Sequence, residues 1–280
     1  MEVTERVSAT GSLLTAAERR AAQVVLDRPQ LVAFGTVADL ARHADVGAAT
    51  VVRLAAKLGY DGFSALQDSI QQDLLRQLRP AVERIRELGD EQPSDRHRDT
   101  VVANVIATLD AVEPGSVDQA VDLLTDVDRP VLVLVGDAAH GVGRQFEHDL
   151  SALRPGVAMI WGPDVAVRRQ LAVCPPDSVV VAIDMRRYER WVLEAAELAH
   201  TRGLTIVALS DGPLSPLAAN ATLAFTLAAG SVSPFESQIG TLALLELLVA
   251  IAAERLRPLA VPRLEQAEQA WNDGHTLTTS

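Results

Sequence analysis

The sequence predicts two fold classes in one chain: an all-α helix-turn-helix domain, then a three-layer α/β domain with a parallel sheet between helices. Three observations carry this. Up to about residue 78, apolar residues recur at helical spacing and no strand pattern intervenes. Residues 79–97 are charged and interrupted by Pro80, Gly89 and Pro93, the composition of a linker. From Val131 onward, short unbroken apolar runs alternate with amphipathic segments, as strands buried on both faces do. The expected boundaries are 1–78, a linker at 79–97, 98–257, and a tail at 258–280.

In the first domain, Thr15 and Glu18 form a capping-box pair that opens a helix running to about Asp27, before Pro29. Thr36 can cap the next helix, with Asp39 at its third position. Val37, Leu40, Ala41 and Ala44 then share one face. Asp45-Val46-Gly47 breaks the pattern, and Gly47 is permissive of the angles a tight turn needs. A second helix, about Ala48 to Leu58, buries Val51, Leu54, Ala55 and Leu58. Its opposite side holds Ala49, Val52, Arg53 and Ala56, with Thr50 and Lys57 at the edge.

Small residues beside a few donors suit a helix that must enter a major groove about 12 Å wide. Arg53 has the reach for a guanine edge or a phosphate, Thr50 for a phosphate or base, and Val52 for a thymine methyl. Lys57, the only lysine in the chain, suits a phosphate. Thr36 and Ala49 complete the expected DNA-facing set. The plainer alternative is a helical hairpin with a solvated charged edge. Leu58-Gly59-Tyr60-Asp61-Gly62-Phe63 then turns the chain into a helix reaching about Leu78, which makes a bundle of four or five helices.

LTAAERRAAQVVLDRP and TVADLARHADVGAATVVRLAAKLGYDGFSALQ resemble the N-terminal domain of the RpiR/MurR family of transcriptional regulators. The match spans roughly residues 10–78. The family's threonine-valine-x-arginine core stands here as Thr50-Val51-Val52-Arg53, and its leucine-glycine-aromatic-x-glycine-phenylalanine turn as residues 58–63. The serine that precedes the family's recognition helix is replaced by Gly47. The resemblance implies a sequence-specific reader of a double-stranded DNA operator, working as a homodimer or homotetramer.

Charge divides along the same boundary. The formal net charge is −12, yet residues 1–79 hold nine Lys+Arg and nine Asp+Glu, so the acidity belongs entirely to the remainder. A neutral reader binds DNA weakly without sequence contacts, and a second subunit helps it hold an operator. One cysteine, Cys174, excludes an internal disulfide or a cysteine-rich zinc site. The acidic, polar N-terminus carries no leader pattern. The longest apolar run, 242–253, is interrupted by Glu246 and too short for a bilayer. The expected location is cytoplasmic, with no membrane partner.

In the second domain, helices are expected at about Asp99–Ala111 and Ser116–Asp126. Apolar runs at Val131–Val135, Val157–Trp161, Ser178–Ile183, Thr205–Leu209 and Thr222–Leu227 give a parallel sheet of about five strands. Helices at about His140–Leu153, Asp164–Val173, Glu189–Thr201 and Phe235–Arg255 separate or follow them. The tail should hold at most a short helix near Leu264–Trp271. Ligands in such sheets bind beyond the carboxyl ends of strands.

This region resembles a SIS (sugar isomerase) domain, the usual partner of the reader in the same family. Its ligand motifs differ. The first phosphate turn of the family resembles Gly-x-Gly-x-Ser, and here Gly136 stands while the serine has become His140. The second resembles Ser-x-Ser-Gly-x-Thr, and here Asp184-Met185-Arg186-Arg187-Tyr188-Glu189 follows the strand. Two readings stay open. Arg186 and Arg187, with His140 across the crevice, hold an anionic effector, phosphorylated or carboxylate. Alternatively the domain only dimerises, and the arginines pair with Asp184 or Glu189. Ser210, in the loop after the fourth strand, and Glu236, in the first turn of the last long helix, complete the candidate ligand set. A sugar-phosphate isomerase is a weaker rival, because only Glu236 and His140 could move protons. No cofactor is implied: the dinucleotide and phosphate-loop glycine patterns are incomplete, and six scattered histidines give no metal spacing.

Overall fold

The computed structural model describes residues 3–10, 13–77, 80–86, 93–212 and 215–276. Two compact units divide the chain, one built on Met1–Glu87 and the other on Leu88–Asp211 with Ser215–Ser280.

The first unit contains α1 (Val3–Thr10), α2 (Ala16–Asp27), α3 (Pro29–Phe34), α4 (Val37–His43), α5 (Ala48–Lys57), α6 (Phe63–Gln77) and α7 (Ala81–Arg86). Both expected capping boxes form, Thr15 with Glu18 on α2 and Thr36 with Asp39 on α4. Helices α1 and α3 exceed the expected set. Pro29 ends one pattern but also opens α3, because a proline at a first helical position forfeits no hydrogen bond. The side chains of Gln67 and Gln71 donate to the carbonyls of Val32, Gly35 and Ala33, which ties α3 to α6. Leu40, Ala41, Ala44, Val51, Leu54, Ala55 and Leu58 are all in one core, as their spacing requires.

The linker expectation needs correction where it can be seen. Ala81–Arg86 is helical, and the following helix, α8 (Pro93–Asp110), begins well before the expected Asp99. Leu78, Arg79 and residues 87–92 lie outside the described residues.

The second unit adds α9 (Ser116–Thr125), β1 (Val131–Val135), α10 (His140–Leu153), β2 (Val157–Ile160), α11 (Asp164–Val173), β3 (Val179–Ile183), α12 (Arg190–Thr201), β4 (Thr205–Ser210), β5 (Leu223–Thr226), α13 (Ile239–Arg255) and α14 (Arg257–Asp273). The five strands are parallel, in the order β2-β1-β3-β4-β5. Alternate residues of each strand serve two cores. Val131, Val133 and Val135 of β1 meet α9, α10 and α13 on one face. Leu134, Val180 and Ala182 meet α11 and α12 on the other. The chain leaves β1 for β2 on one side and enters β3 on the other, so the topological switch point lies between β1 and β3.

Close approaches and buried polar groups set the frame. A Cβ at Gly240 would lie 2.4 Å from Thr108 Oγ1 and 2.6 Å from the Ala228 carbonyl, so glycine is what lets α13 meet α8. The Asn104 amide donates to the Gly230 carbonyl at 2.7 Å and accepts from the Gly230 N–H at 3.0 Å. Arg154, fully buried, donates to the carbonyls of Leu124, Asp126, Val127, Arg129 and Pro155. That satisfies the charged fork without an acidic partner in contact.

The end of the chain corrects the tail expectation. α14 is a 17-residue helix, with Pro258 near its start and Pro262 inside it. It docks on α10: Ala260 is buried against Leu153 and Leu256, and Arg263 donates to the Ser151 and Ala152 carbonyls. Tertiary burial offsets the hydrogen bond that Pro262 forfeits. Among the described residues, no helix is long and apolar enough to cross a membrane.

Candidate functional site

In the first unit, α4 and α5 meet through a turn whose left-handed residue is Asp45, at φ 50°. Gly47, expected to supply that freedom, has φ −78° and caps α5 without a side chain. Arg20 of α2 steadies the turn by donating to the Ala44 and Asp45 carbonyls. With one face of α5 buried, Ala49, Val52, Arg53 and Ala56 are exposed on the other, Val52 by 46%.

Two of the expected DNA-facing residues look elsewhere. Thr50 is only 8% exposed, and its hydroxyl accepts from Arg53 at 3.1 Å, so it orients that guanidinium and is itself largely shielded from the surface. One residue from Val51 on a tightly packed helix, it falls at the edge of the buried arc. Lys57 points back to α2, where its ammonium meets the Glu18 carboxylate at 2.7 Å and the Leu13 carbonyl at 3.2 Å. That contact, with hydrogen bonds from Thr15, holds the Glu18 carboxyl down at about 2. Thr36 is exposed but engaged with Asp39, whose carboxyl is likewise held at about 2 by Thr36 and Arg42.

In the second unit, the loops beyond β1 and β3 build a crevice at the switch point. Gly136 ends β1 and leads through one 3-10 turn, Asp137–Ala139, into α10. After β3 come Asp184 and the turn to Glu189, which caps α12. Asp184 is buried. Its carboxylate accepts the N–H of Met185 at 2.9 Å and that of Glu189 at 2.8 Å. Burial pushes its carboxyl up to about 6. The charges of Glu189 and Asp211 push the same way, against the two N–H bonds.

Glu189 spans the crevice. One carboxylate oxygen accepts the N–H of Asp137, the other the indole N–H of Trp191 at 2.5 Å. A Cβ at Gly136 would lie 2.8 Å from Asp184 Oδ1 and 3.0 Å from Glu189 Oε1, so the bare glycine is what lets both acids come in. Next to them, Asp137, Trp161, Gly162, Pro163, Glu189 and Trp191 line an open cleft of about 630 Å³.

The other candidate ligand residues fall as follows. His140 opens α10 and lies edge-on to Trp161, ring centroids 5.0 Å apart, with its Nδ1 buried and lacking a hydrogen bond. Arg186 sits at φ 57°, a conformation unusual for a branched or long side chain. Its nearest acid is Glu236, at 3.9 Å, rather than Asp184 or Glu189. Arg187 is exposed. Glu236 lies in the loop before α13, which starts at Ile239, so its expected place in that helix's first turn is corrected. Ser210 is buried and donates to the Asp184 carbonyl. Tyr188 donates to Asp211, and burial together with that bond pushes its phenol well above the usual range.

The tryptophans and Glu189's bridging role were missed by sequence reasoning. A signal for Glu189 was present: it stands where the resembled motif ends in threonine.

This architecture matches known proteins at both ends. The profile of the helix-turn-helix domain, rpiR family, matches residues 1–77, and that of the SIS domain matches residues 123–251. The chain thus carries a helix-turn-helix domain of the rpiR family followed by a SIS domain. The HTH-type transcriptional regulator HexR of Escherichia coli (strain K12) is 26% identical over 235 residues, covering 81% of this chain and 78% of that protein. The sugar isomerase domain of an RpiR transcription factor from Sphaerobacter thermophilus superposes with TM-score 0.59 at 25% identity, over 64% of this chain and 99% of that one. The Vibrio vulnificus NanR protein, complexed with ManNAc-6P, shares the fold over 97% of this chain and 98% of its own, with TM-score 0.57 and 21% identity. With these two domains the chain is a DNA-binding transcriptional regulator with a SIS domain.

Proposed function

We propose that α5 reads an operator half-site from the major groove, within a homodimer or homotetramer on a palindromic site. The observation that carries this is the two-sided character of α5. Val51, Leu54 and Ala55 are fully buried, while Ala49, Val52, Arg53 and Ala56 form an exposed strip of small residues around one guanidinium. Arg53 takes the base or phosphate contact and Thr50 fixes its direction. Lys57 holds α5 to α2 through Glu18, leaving DNA contact to its neighbours.

The second unit oligomerises and senses a carbohydrate-type effector in the switch-point crevice. Binding there changes the relative placement of two readers and so the affinity for the operator. A protein of the same fold, NanR, takes ManNAc-6P, which supports a carbohydrate effector. The chain acts as a regulator, and Glu236, one candidate proton carrier for an isomerase, lies 3.9 Å from Arg186. A second reading, in which the domain only oligomerises, is favoured by one observation: Glu189 already satisfies the Asp137 N–H.

Mobility shifts with DNA from upstream of the chain's own gene test the core reading. A salt-sensitive, sequence-selective complex is expected, and the absence of one with every fragment tried defeats it. Size-exclusion chromatography with light scattering tests the assembly: a monomer at micromolar concentration contradicts it.

A further inference from the structure

Backbone N–H groups at the start of a helix that follows a strand form a natural seat for an anion. In this chain three N–H groups in the turns that lead into α10 and α12 are taken from within. Glu189 accepts the Asp137 N–H, and Asp184 accepts those of Met185 and Glu189. Both oxygens of Glu189 are held, the second by the Trp191 indole, so the carboxylate is fixed in place. Gly136 leaves the room that both acids occupy. The nearby cations do not offset this charge: Arg186 lies nearest Glu236, and Arg187 is exposed.

We propose that Glu189 is a built-in anion that occupies the phosphate position of the switch-point crevice, so that this regulator refuses phosphoryl ligands there. Any effector of the crevice is then recognised through groups other than a phosphate. The inference deepens the reading of the crevice as the effector site and rests on it. A phosphoryl group brought to the Asp137 N–H would displace Glu189 or lie against it, and like charges a few ångströms apart repel even in an open crevice. The Asp184 carboxyl, raised chiefly by burial, is pushed further the same way by the charge of Glu189. The sequence agrees, since Glu189 stands at the motif position where a threonine would offer a neutral hydroxyl.

The test compares the full-length chain with Glu189→Thr and Glu189→Gln, titrated calorimetrically with inorganic phosphate and with glucose 6-phosphate at neutral pH. The wild type is expected to show no binding into the millimolar range, and each variant a gain in affinity of roughly tenfold or more, about 1.4 kcal/mol. Glu189→Gln keeps the side chain's size and reads the charge alone if the threonine variant fails to fold. The proposal is overturned if the wild type binds either compound as tightly as the variants, or if neither folded variant gains affinity. Operator binding, measured in parallel, separates the two readings. It should be equal in all three proteins, and its absence from the wild type sinks the regulator assignment without touching the role of Glu189.

Discussion

In the reader, the one arginine on the exposed strip of α5 faces outward, and among the described residues its guanidinium donates to the neighbouring Thr50. In the crevice, the groups best placed to meet a ligand are turned on one another: Glu189 on Asp137 and Trp191, Asp184 on two N–H groups, Tyr188 on Asp211. The two regions share a construction principle. Each places a helix start beside a tight turn, and each has lost a family hydroxyl, to Gly47 in one and to Glu189 in the other. They differ in what the replacement brings. Glycine leaves open space, whereas glutamate introduces a charge that fills the site it lines. A binding surface tolerates the loss of a cap because its recognition groups lie a turn away. A seat for an anion does not tolerate an anion of its own.

Breaking the scaffold under the crevice should have the largest effect. Arg154→Ala strips five carbonyls of a buried donor and leaves a cavity, and we expect the second unit to lose on the order of 4 kcal/mol in urea unfolding. Retention of wild-type stability would mean that water replaces the guanidinium at no cost.

The burial of Asp184 beside two further acids predicts a pH dependence. The carboxyl of Asp184 is raised in the folded chain from 3.8 to about 6, so the native state holds a proton that the unfolded state releases. Its stabilising contribution is complete below about 3.8 and lost as pH rises through about 6. Relative to Asp184→Asn, the wild type should therefore gain about 2 kcal/mol between pH ~7 and pH ~4. A flat difference between the two proteins would show that Asp184 is ionised without penalty.

On the reader's side, Arg53→Ala should weaken the specific operator complex by about 1–3 kcal/mol, and Arg187→Ala should leave it unchanged. Equal losses from both would erase the distinction between an outward-facing and an inward-facing region. The smallest effect is expected at Gly47, where an added side chain meets nothing within 4 Å. Gly47→Ser supplies the missing N-cap and should stabilise the first unit by a few tenths of a kcal/mol, read as a small rise in its Tm.

Much of this fold was legible because its signals are local. Thr15 with Glu18 and Thr36 with Asp39 are helix starts that operate within four residues, and both form as their spacing requires. The runs at 131–135 and 179–183 could be recognised as strands because burial on both faces leaves no polar position in the run. What was not legible depended on partners distant in sequence. α14 contains two prolines and has little pattern of its own, and it is helical because α10 receives Ala260 and Arg263. Helical periodicity places Thr50 and Lys57 at an edge, where they read as surface donors. Periodicity does not say whether Glu18, 39 residues away, waits there. The pattern around Glu236 reads as the opening of a helix that begins only at Ile239, since apolar content alone does not mark a start without a cap.

The sequence by itself determined the two fold classes, the order of the domains, the buried and exposed arcs of α5, and the departure of the second phosphate turn from its family pattern. Short-range spacing and residue chemistry suffice for those. Only the tertiary structure decided which charges are spent inside the chain: Lys57 on Glu18, Arg154 on five carbonyls, and Glu189 on the turn beyond β1. Charge acts through space rather than along the chain, and a strand order of β2-β1-β3 is what brings residues 137 and 189 to the same seat.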